Sequence, residues 1–215
     1  MSKKYEILLF DLDGTITDSA LGITNSVMYA LKKFGIEETD RTKLYKFIGP
    51  PLTESFEKFY GFTKEQSLDG VKYYREYYHD KGIYENRVYD GLEEVLKKIN
   101  EAGKQAIVAT SKPEKYAKII DHFHLTKYFA CVAGMEMDGG RGTKAQVITY
   151  ALEKNDITDK SKVLMIGDRE HDVIGAHENG LDCLGILYGF GSRKEFEEAG
   201  ADYIRENVED ILQFV

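Results

Sequence analysis

The chain has 215 residues, 42% of them hydrophobic and 31% charged, with three prolines and a net charge of −8 at pH 7. That length accommodates one α/β domain with an inserted module, and the scarcity of proline speaks against a disordered tail or linker. The acidic balance, with no block of Lys or Arg, excludes an electrostatic footprint for nucleic acid, and no apolar stretch is long enough to span a bilayer, so a cytoplasmic protein with no membrane partner is expected.

The first element is "YEILLF" (residues 5–10), whose run Ile7, Leu8, Leu9, Phe10 suits a strand buried on both faces of a parallel sheet. It ends in Asp11 and Asp13, one residue apart. Carboxylates at the mouth of a buried strand cost desolvation energy unless a cation or hydrogen bonds offset it. From about Asp18 to Tyr89 the patterning is helical, with candidates "DSALGITNSVMYALKKFGI", "RTKLYKFIG", "PLTESFEKFYG" and "TKEQSLDGVKYYREYYHDKG" and no strand signal. From Asp90 the pattern alternates. Helix "GLEEVLKKINEAG" precedes strand "KQAIVA", helix "PEKYAKIIDHF", strand "ACVAG", helix "TKAQVITYALEKN" and strand "KVLMIG". The series closes with helix "HDVIGAHENG", strand "DCLGIL", helix "SRKEFEEAG", strand "DYI" and a last helix near "VEDILQF". Repeated β-α units predict a parallel sheet covered by helices on both faces.

Such sheets carry their sites at the carboxyl ends of the strands. The residues at those ends are Asp11 after "YEILLF", Thr110 after "KQAIVA" and Asp168 after "KVLMIG", so all three fall on the same expected edge. Each also fits a plainer role. Asp168 and Asp172 could cap a helix and favour its dipole, Lys144 could be a solvated lysine, and Thr110 and Ser111 before Pro113 could simply start a helix. An EF-hand loop from Asp11 fails, because its sixth and twelfth positions are Ile16 and Gly22 rather than Gly and Glu.

It is the combination that is specific. "YEILLFDLDGTITDS" supplies Asp11 and Asp13, "IVATSKPE" supplies Thr110, Ser111 and Lys112, "RGTKAQVI" supplies Lys144, and "LMIGDREHD" supplies Asp168 and Asp172. Four motifs in this order, over essentially the full length, resemble the haloacid dehalogenase superfamily. The resemblance implies a Rossmann-like parallel-sheet core flanked by helices, over residues 1–17 and 89–215, with the first strand near its centre and an inserted α-helical cap domain over residues 18–88. It further implies a Mg²⁺-dependent phosphatase that hydrolyses small phosphomonoesters through an aspartyl-phosphate intermediate. Asp11 would be the nucleophile and Asp13 the acid and then the base. Thr110 and Ser111 would bind phosphoryl oxygens, and Lys144 would place positive charge beside nucleophile and phosphate. Mg²⁺ would be held by Asp11, Asp168 and the main-chain carbonyl of Asp13, with Asp172 as orienter or occasional ligand.

The cap position and "DLDGTITDS" resemble phosphoglycolate phosphatases, whereas "ATSKPE" and "DGGRGTKAQVI" look more like a 5′-nucleotidase branch. A sugar-phosphate mutase would use the same residues, and a phospho-accepting signalling domain would share the acidic cluster but is shorter and lacks a helical insertion. The expected partner is a small phosphate ester, and the expected assembly a monomer or small homo-oligomer. Tyr73 with Tyr77 and Tyr74 with Tyr78 form two i, i+4 stripes, read as packing rather than as stacking on a substrate base. Cys131 and Cys183, in apolar surroundings without metal-ligand spacing, read as reduced thiols.

Overall fold

The computed structural model describes residues 3–117, 119–136 and 140–215. It divides into two compact units, residues 1–17 with 88–215 and residues 18–87. In chain order, β1 (Ile7–Phe10) and the short β2 (Thr17–Asp18) precede α1 (Ala20–Lys33), a 3-10 helix at Arg41–Phe47, α2 (Leu52–Tyr60) and α3 (Lys64–Tyr77). The short β3 (Arg87–Val88), α4 (Leu92–Glu101), β4 (Gln105–Pro113), α5 (Glu114–Ala117), α6 (Ile119–His122) and β5 (Phe129–Met135) follow. Next come α7 (Lys144–Lys154), β6 (Val163–Gly167), α8 (Glu170–Glu178), β7 (Asp182–Ile186), α9 (Arg193–Ala199), β8 (Tyr203–Arg205) and a closing 3-10 helix at Val208–Phe214.

Six of these strands form one sheet in the order β5-β4-β1-β6-β7-β8, and each neighbouring pair runs parallel. The class expected from sequence is therefore the one observed. β1 is central because its apolar residues are buried on both faces: Leu8, Leu9 and Phe10 are fully buried, with Leu9 level with Ile107 and Met165. On one face Leu9, Ile107 and Met165 join Val147 and Ile148 of α7, Val173 of α8 and Phe196 of α9 in a single cluster. By the two-residue period of a strand, Leu8 and Phe10 belong to the other face. The chain reaches β4 and β5 on one side of β1 before crossing to β6, β7 and β8 on the other, so β1 is the point where the strand order reverses.

The second unit packs around rings. Phe47 and Phe56 are almost fully buried, and Phe56 stacks on Phe62 with ring centres 5.5 Å apart. α3 opens with a reciprocal cap, Thr63 accepting from the Gln66 amide while the Gln66 side chain accepts from Thr63. Both tyrosine stripes are spent inside this unit. Tyr74 and Tyr78 are buried and stacked at 5.3 Å, while Tyr73 meets Phe34 and Tyr77 meets Tyr29. The packing reading is the one the structure carries.

Several local expectations change. The segment at Arg41 is a 3-10 rather than an α-helix, as is the closing one, and α3 ends at Tyr77 in a wide π-type turn over Tyr78–Gly82. Two-residue strands, β2 and β3, bound a segment read as strand-free, since two residues carry no periodicity. β4 does not stop at Ala109 but runs to Pro113, and the helix expected from Pro113 begins at Glu114. Lys118 of that helix, and Asp138 and Gly139 of "DGGRGTKAQVI", lie outside the described residues. Among the described residues, no helix is long and apolar enough to cross a membrane.

Candidate active site

The central strand and its two neighbours bring the expected residues to one edge. Phe10 is level with Val108 of β4 and Ile166 of β6, and the Asp11 amide continues the ladder by donating to the Ile166 carbonyl at 2.9 Å. Asp11 and Asp168 therefore leave β1 and β6 at their carboxyl ends, and Thr110 lies in the last part of the adjacent β4, beside the reversal of strand order where α/β sheets form their crevices. After Asp11 the chain turns tightly, with the Ile16 and Thr17 amides donating to the Leu12 carbonyl. Gly14 is required there on two counts. Its φ is +89°, and a Cβ would lie 2.1 Å from Asp168 Oδ2.

Lys144 arrives from the start of α7. That helix is opened by a reciprocal cap between Thr143 and Gln146. A cation in a helix's first turn opposes the dipole, so its position does not serve helix stability. Instead the buried Nζ donates to the Ala109 carbonyl at 3.0 Å and lies 2.7 Å from Asp11 Oδ1 and 2.7 Å from Asp172 Oδ1. One ammonium group therefore serves both carboxylates, the only cation in contact with either among the described residues. Asp172 has a double role: its Oδ2 accepts from the Arg169 amide at the start of α8, as the plainer reading expects, while its Oδ1 faces the lysine. Asp168 caps nothing; its Oδ2 accepts from the Phe190 amide at 2.8 Å, and its Oδ1 is buried without a donor.

Lys112 has a position that the sequence reading did not give it. Thr110 pairs with Gly134 and Pro113 with Met135, so Ser111 and Lys112 form a bulge in β4. The Thr110 hydroxyl accepts from the Lys112 amide at 3.1 Å, and Lys112 Nζ reaches Asp13 Oδ1 at 2.7 Å. Asp13 thus stands on the same edge, with its carboxylate paired to Lys112 rather than turned into the cluster of the other three. Ser111 is half-buried in the bulge. The loop carrying Phe190 was also not foreseen, although an aromatic residue between two glycines directly after a strand is a readable signal for a close backbone approach.

The electrostatics follow from burial. Burial, opposed by Lys144 and reinforced by Asp172, pushes Asp11 up from 3.8 to about 6. Burial and the charges of Asp11 and Asp172 raise Asp168 well above the ordinary carboxylate range. For Lys144 burial works against the charge, but Asp11 and Asp172 outweigh it and hold the ammonium protonated. Asp11, Asp168 and Asp172 each offer an oxygen within 4.8 Å of the others. Counting Asp13 and Lys112, four carboxyl groups stand against two ammonium groups. Asp168 Oδ1, buried without a donor, and the carboxylate oxygens of Asp11 and Asp172 form a hard oxygen set that fits a cation such as Mg²⁺.

A family profile described as haloacid dehalogenase-like hydrolase matches residues 8–186. The chain is 45% identical over 193 residues to a 5′-nucleotidase of Pseudomonas aeruginosa, covering 89% of this chain and 87% of that one. It is 35% identical over 187 residues to the tyrosine-protein kinase PtkA of Mycobacterium tuberculosis, covering 86% of this chain and 63% of that longer protein. Among solved structures, a predicted phosphatase from Clostridium acetobutylicum superposes with a TM-score of 0.94 at 47% identity, over 98% of each chain.

Proposed function

The chain belongs to the haloacid dehalogenase-like hydrolases and is one of that family's phosphatases, and we propose that it hydrolyses small phosphomonoesters, nucleoside 5′-monophosphates foremost, through a phosphorylated Asp11. The observation that carries this reading is the convergence of the buried Asp11, Asp168 and Asp172 at the carboxyl edge of the sheet, with Lys144 held between Asp11 and Asp172. The raised pKa values of the buried Asp11 and Asp168 are of the kind that cluster at functional sites. Asp11, Asp168 and the main-chain carbonyl of Asp13 would hold Mg²⁺, oriented by Asp172. When bound, it supplies the neutralisation that lets a carboxylate approach a phosphate dianion.

The Asp11 carboxylate attacks phosphorus, forming an Oδ–P bond as the P–O ester bond breaks. Asp13 gives its proton to the departing alkoxide, and the alcohol leaves. Asp13, now ionised, takes a proton from water, whose oxygen displaces Asp11 from phosphorus. Inorganic phosphate departs and the nucleophile is restored. Thr110, Ser111 and the backbone amides after Asp11 and Thr110 bind the phosphoryl oxygens. Lys144 keeps Asp11 charged and oriented and stabilises the charge that develops on the transferring group.

Nucleotides are placed first because of the 45% identical relative named a 5′-nucleotidase and because "ATSKPE" and "DGGRGTKAQVI" resemble the 5′-nucleotidase branch. The test is phosphate release from nucleoside 5′-monophosphates and from 2-phosphoglycolate, with and without Mg²⁺, using Asp11→Asn to expose contaminating activity. Mg²⁺-dependent release with nucleotides preferred is the expected result. Preference for 2-phosphoglycolate overturns the substrate, and activity retained in Asp11→Asn overturns the nucleophile.

A further inference from the structure

Asp168 is held by a segment that none of the four motifs contains. The loop after β7 runs Tyr188-Gly189-Phe190-Gly191, and it encloses this one carboxylate with backbone. The Phe190 amide takes Asp168 Oδ2 at 2.8 Å. A Cβ at Gly189 would lie 2.4 Å from Asp168 Cβ and 2.4 Å from the Gly14 carbonyl oxygen, and one at Gly191 would lie 2.0 Å from the Asp168 carbonyl oxygen. Contacts below 3 Å leave no room for any side chain, so two of the loop's four residues must be glycine for it to lie there. With Oδ2 committed and rotation blocked, Asp168 presents only Oδ1, the buried oxygen with no donor.

What fixes the loop is Tyr188. Its hydroxyl donates to the Thr15 carbonyl at 3.0 Å, within the turn that carries Asp11 and Asp13, and its ring meets Tyr89 edge-on with centres 4.9 Å apart. Burial pushes the Tyr188 phenol up, so it keeps the proton that this bond uses. We infer that Tyr188 is a positioning residue for cation binding: it ties the loop that clamps Asp168 to the turn that bears the nucleophile, and so sets the separation of the two carboxylates beyond what β1–β6 pairing alone would fix. This rests on reading Asp168 as a cation ligand.

The test measures Mn²⁺ affinity by electron paramagnetic resonance without substrate, beside melting temperature and the KM and kcat for an aryl phosphate. Tyr188→Phe keeps the ring and removes one hydrogen bond. It should weaken Mn²⁺ binding about three- to tenfold and raise the half-saturating Mg²⁺ for turnover, leaving KM for the ester near wild type. Gly189→Ala should lose more than about tenfold, since its methyl group must displace Asp168. Tyr5→Phe, which removes a buried hydroxyl from the opposite edge of the sheet, is the control for stability alone and should leave Mn²⁺ affinity unchanged. Wild-type Mn²⁺ affinity in Asp168→Asn would sink the ligand reading itself. Loss in Asp168→Asn with wild-type affinity in Tyr188→Phe would overturn the positioning role.

Discussion

Asp182 opens β7 at one edge of the sheet and Asp168 closes β6 at the other, and the two carboxylates differ in what the fold supplies them. At the amino-terminal edge Asp182 accepts from Lys3 Nζ at 2.8 Å and from the Tyr5 hydroxyl at 2.5 Å, which in turn lies 3.2 Å from the Tyr203 hydroxyl. Burial raises Asp182, but the hydrogen bonds from Lys3 and Tyr5 outweigh it and hold the carboxyl below its usual range. At the carboxyl-terminal edge Asp168 receives one backbone amide and two neighbouring negative charges, and it is pushed well up. Both edges bear acids at strand termini. Only one leaves them short of donors, and that shortage is what separates a site from a satisfied structural network.

The widest gap between the edges should appear in turnover. Asp11→Asn should fold and lose at least about 10³-fold in kcat, measured as phosphate release, because in the proposed mechanism Asp11 is the group that forms the covalent intermediate. Near-normal turnover would break the contrast outright. Stripping divalent cations with a chelator should abolish activity, and Mg²⁺ should restore it without refolding, as followed by circular dichroism. Lys144→Ala should cost about 10²-fold or more and lower affinity for inorganic phosphate, since it removes the cation between Asp11 and Asp172.

A smaller difference should appear in stability against pH for the metal-free protein. Asp11 has a native pKa of about 6 against an ordinary 3.8, so the native state binds the extra proton and the protein gains stability as pH falls through 6 towards 4. The gain is at most about 3 kcal/mol, at 1.36 kcal/mol per pKa unit. The rise in melting temperature from pH 7.5 to 5 should therefore be larger in wild type than in Asp11→Asn, and equal rises would remove Asp11 as its source. Asp182 is shifted the other way, so its contribution is intact across that window and is lost only at more acid pH, as pH falls through its depressed value. The least effect is expected for Tyr5→Phe, about 1 kcal/mol and a few degrees of melting temperature with kcat unchanged.

Much of the architecture was legible because buried parallel strands write themselves as short apolar runs. "YEILLF", "KQAIVA" and "KVLMIG" mark β1, β4 and β6, and the polar residue after each lies at the carboxyl edge. The bulge at Ser111–Lys112 was not legible, since an extra pair of residues in a strand has no period to betray it, and so the Lys112–Asp13 contact was missed. The 3-10 segments at Arg41–Phe47 and Val208–Phe214 share the apolar spacing of α-helices, and hydrogen-bond geometry alone tells them apart. Tyr188 and Thr15 are 173 residues apart in sequence, and nothing local to either announces their contact.

The order of the six strands of the parallel sheet and the helices between them, and the polar groups near their carboxyl ends, could be read from the sequence, because hydrophobic periodicity and chain connectivity are local properties. Tertiary structure decided which of those carboxylates would be short of donors. Asp182 found Lys3 and Tyr5 folded against it, whereas Asp168 found Asp11, Asp172 and a wall of glycine backbone. Desolvation and the count of available donors depend on everything packed around a group, and so they exist only once the chain is folded.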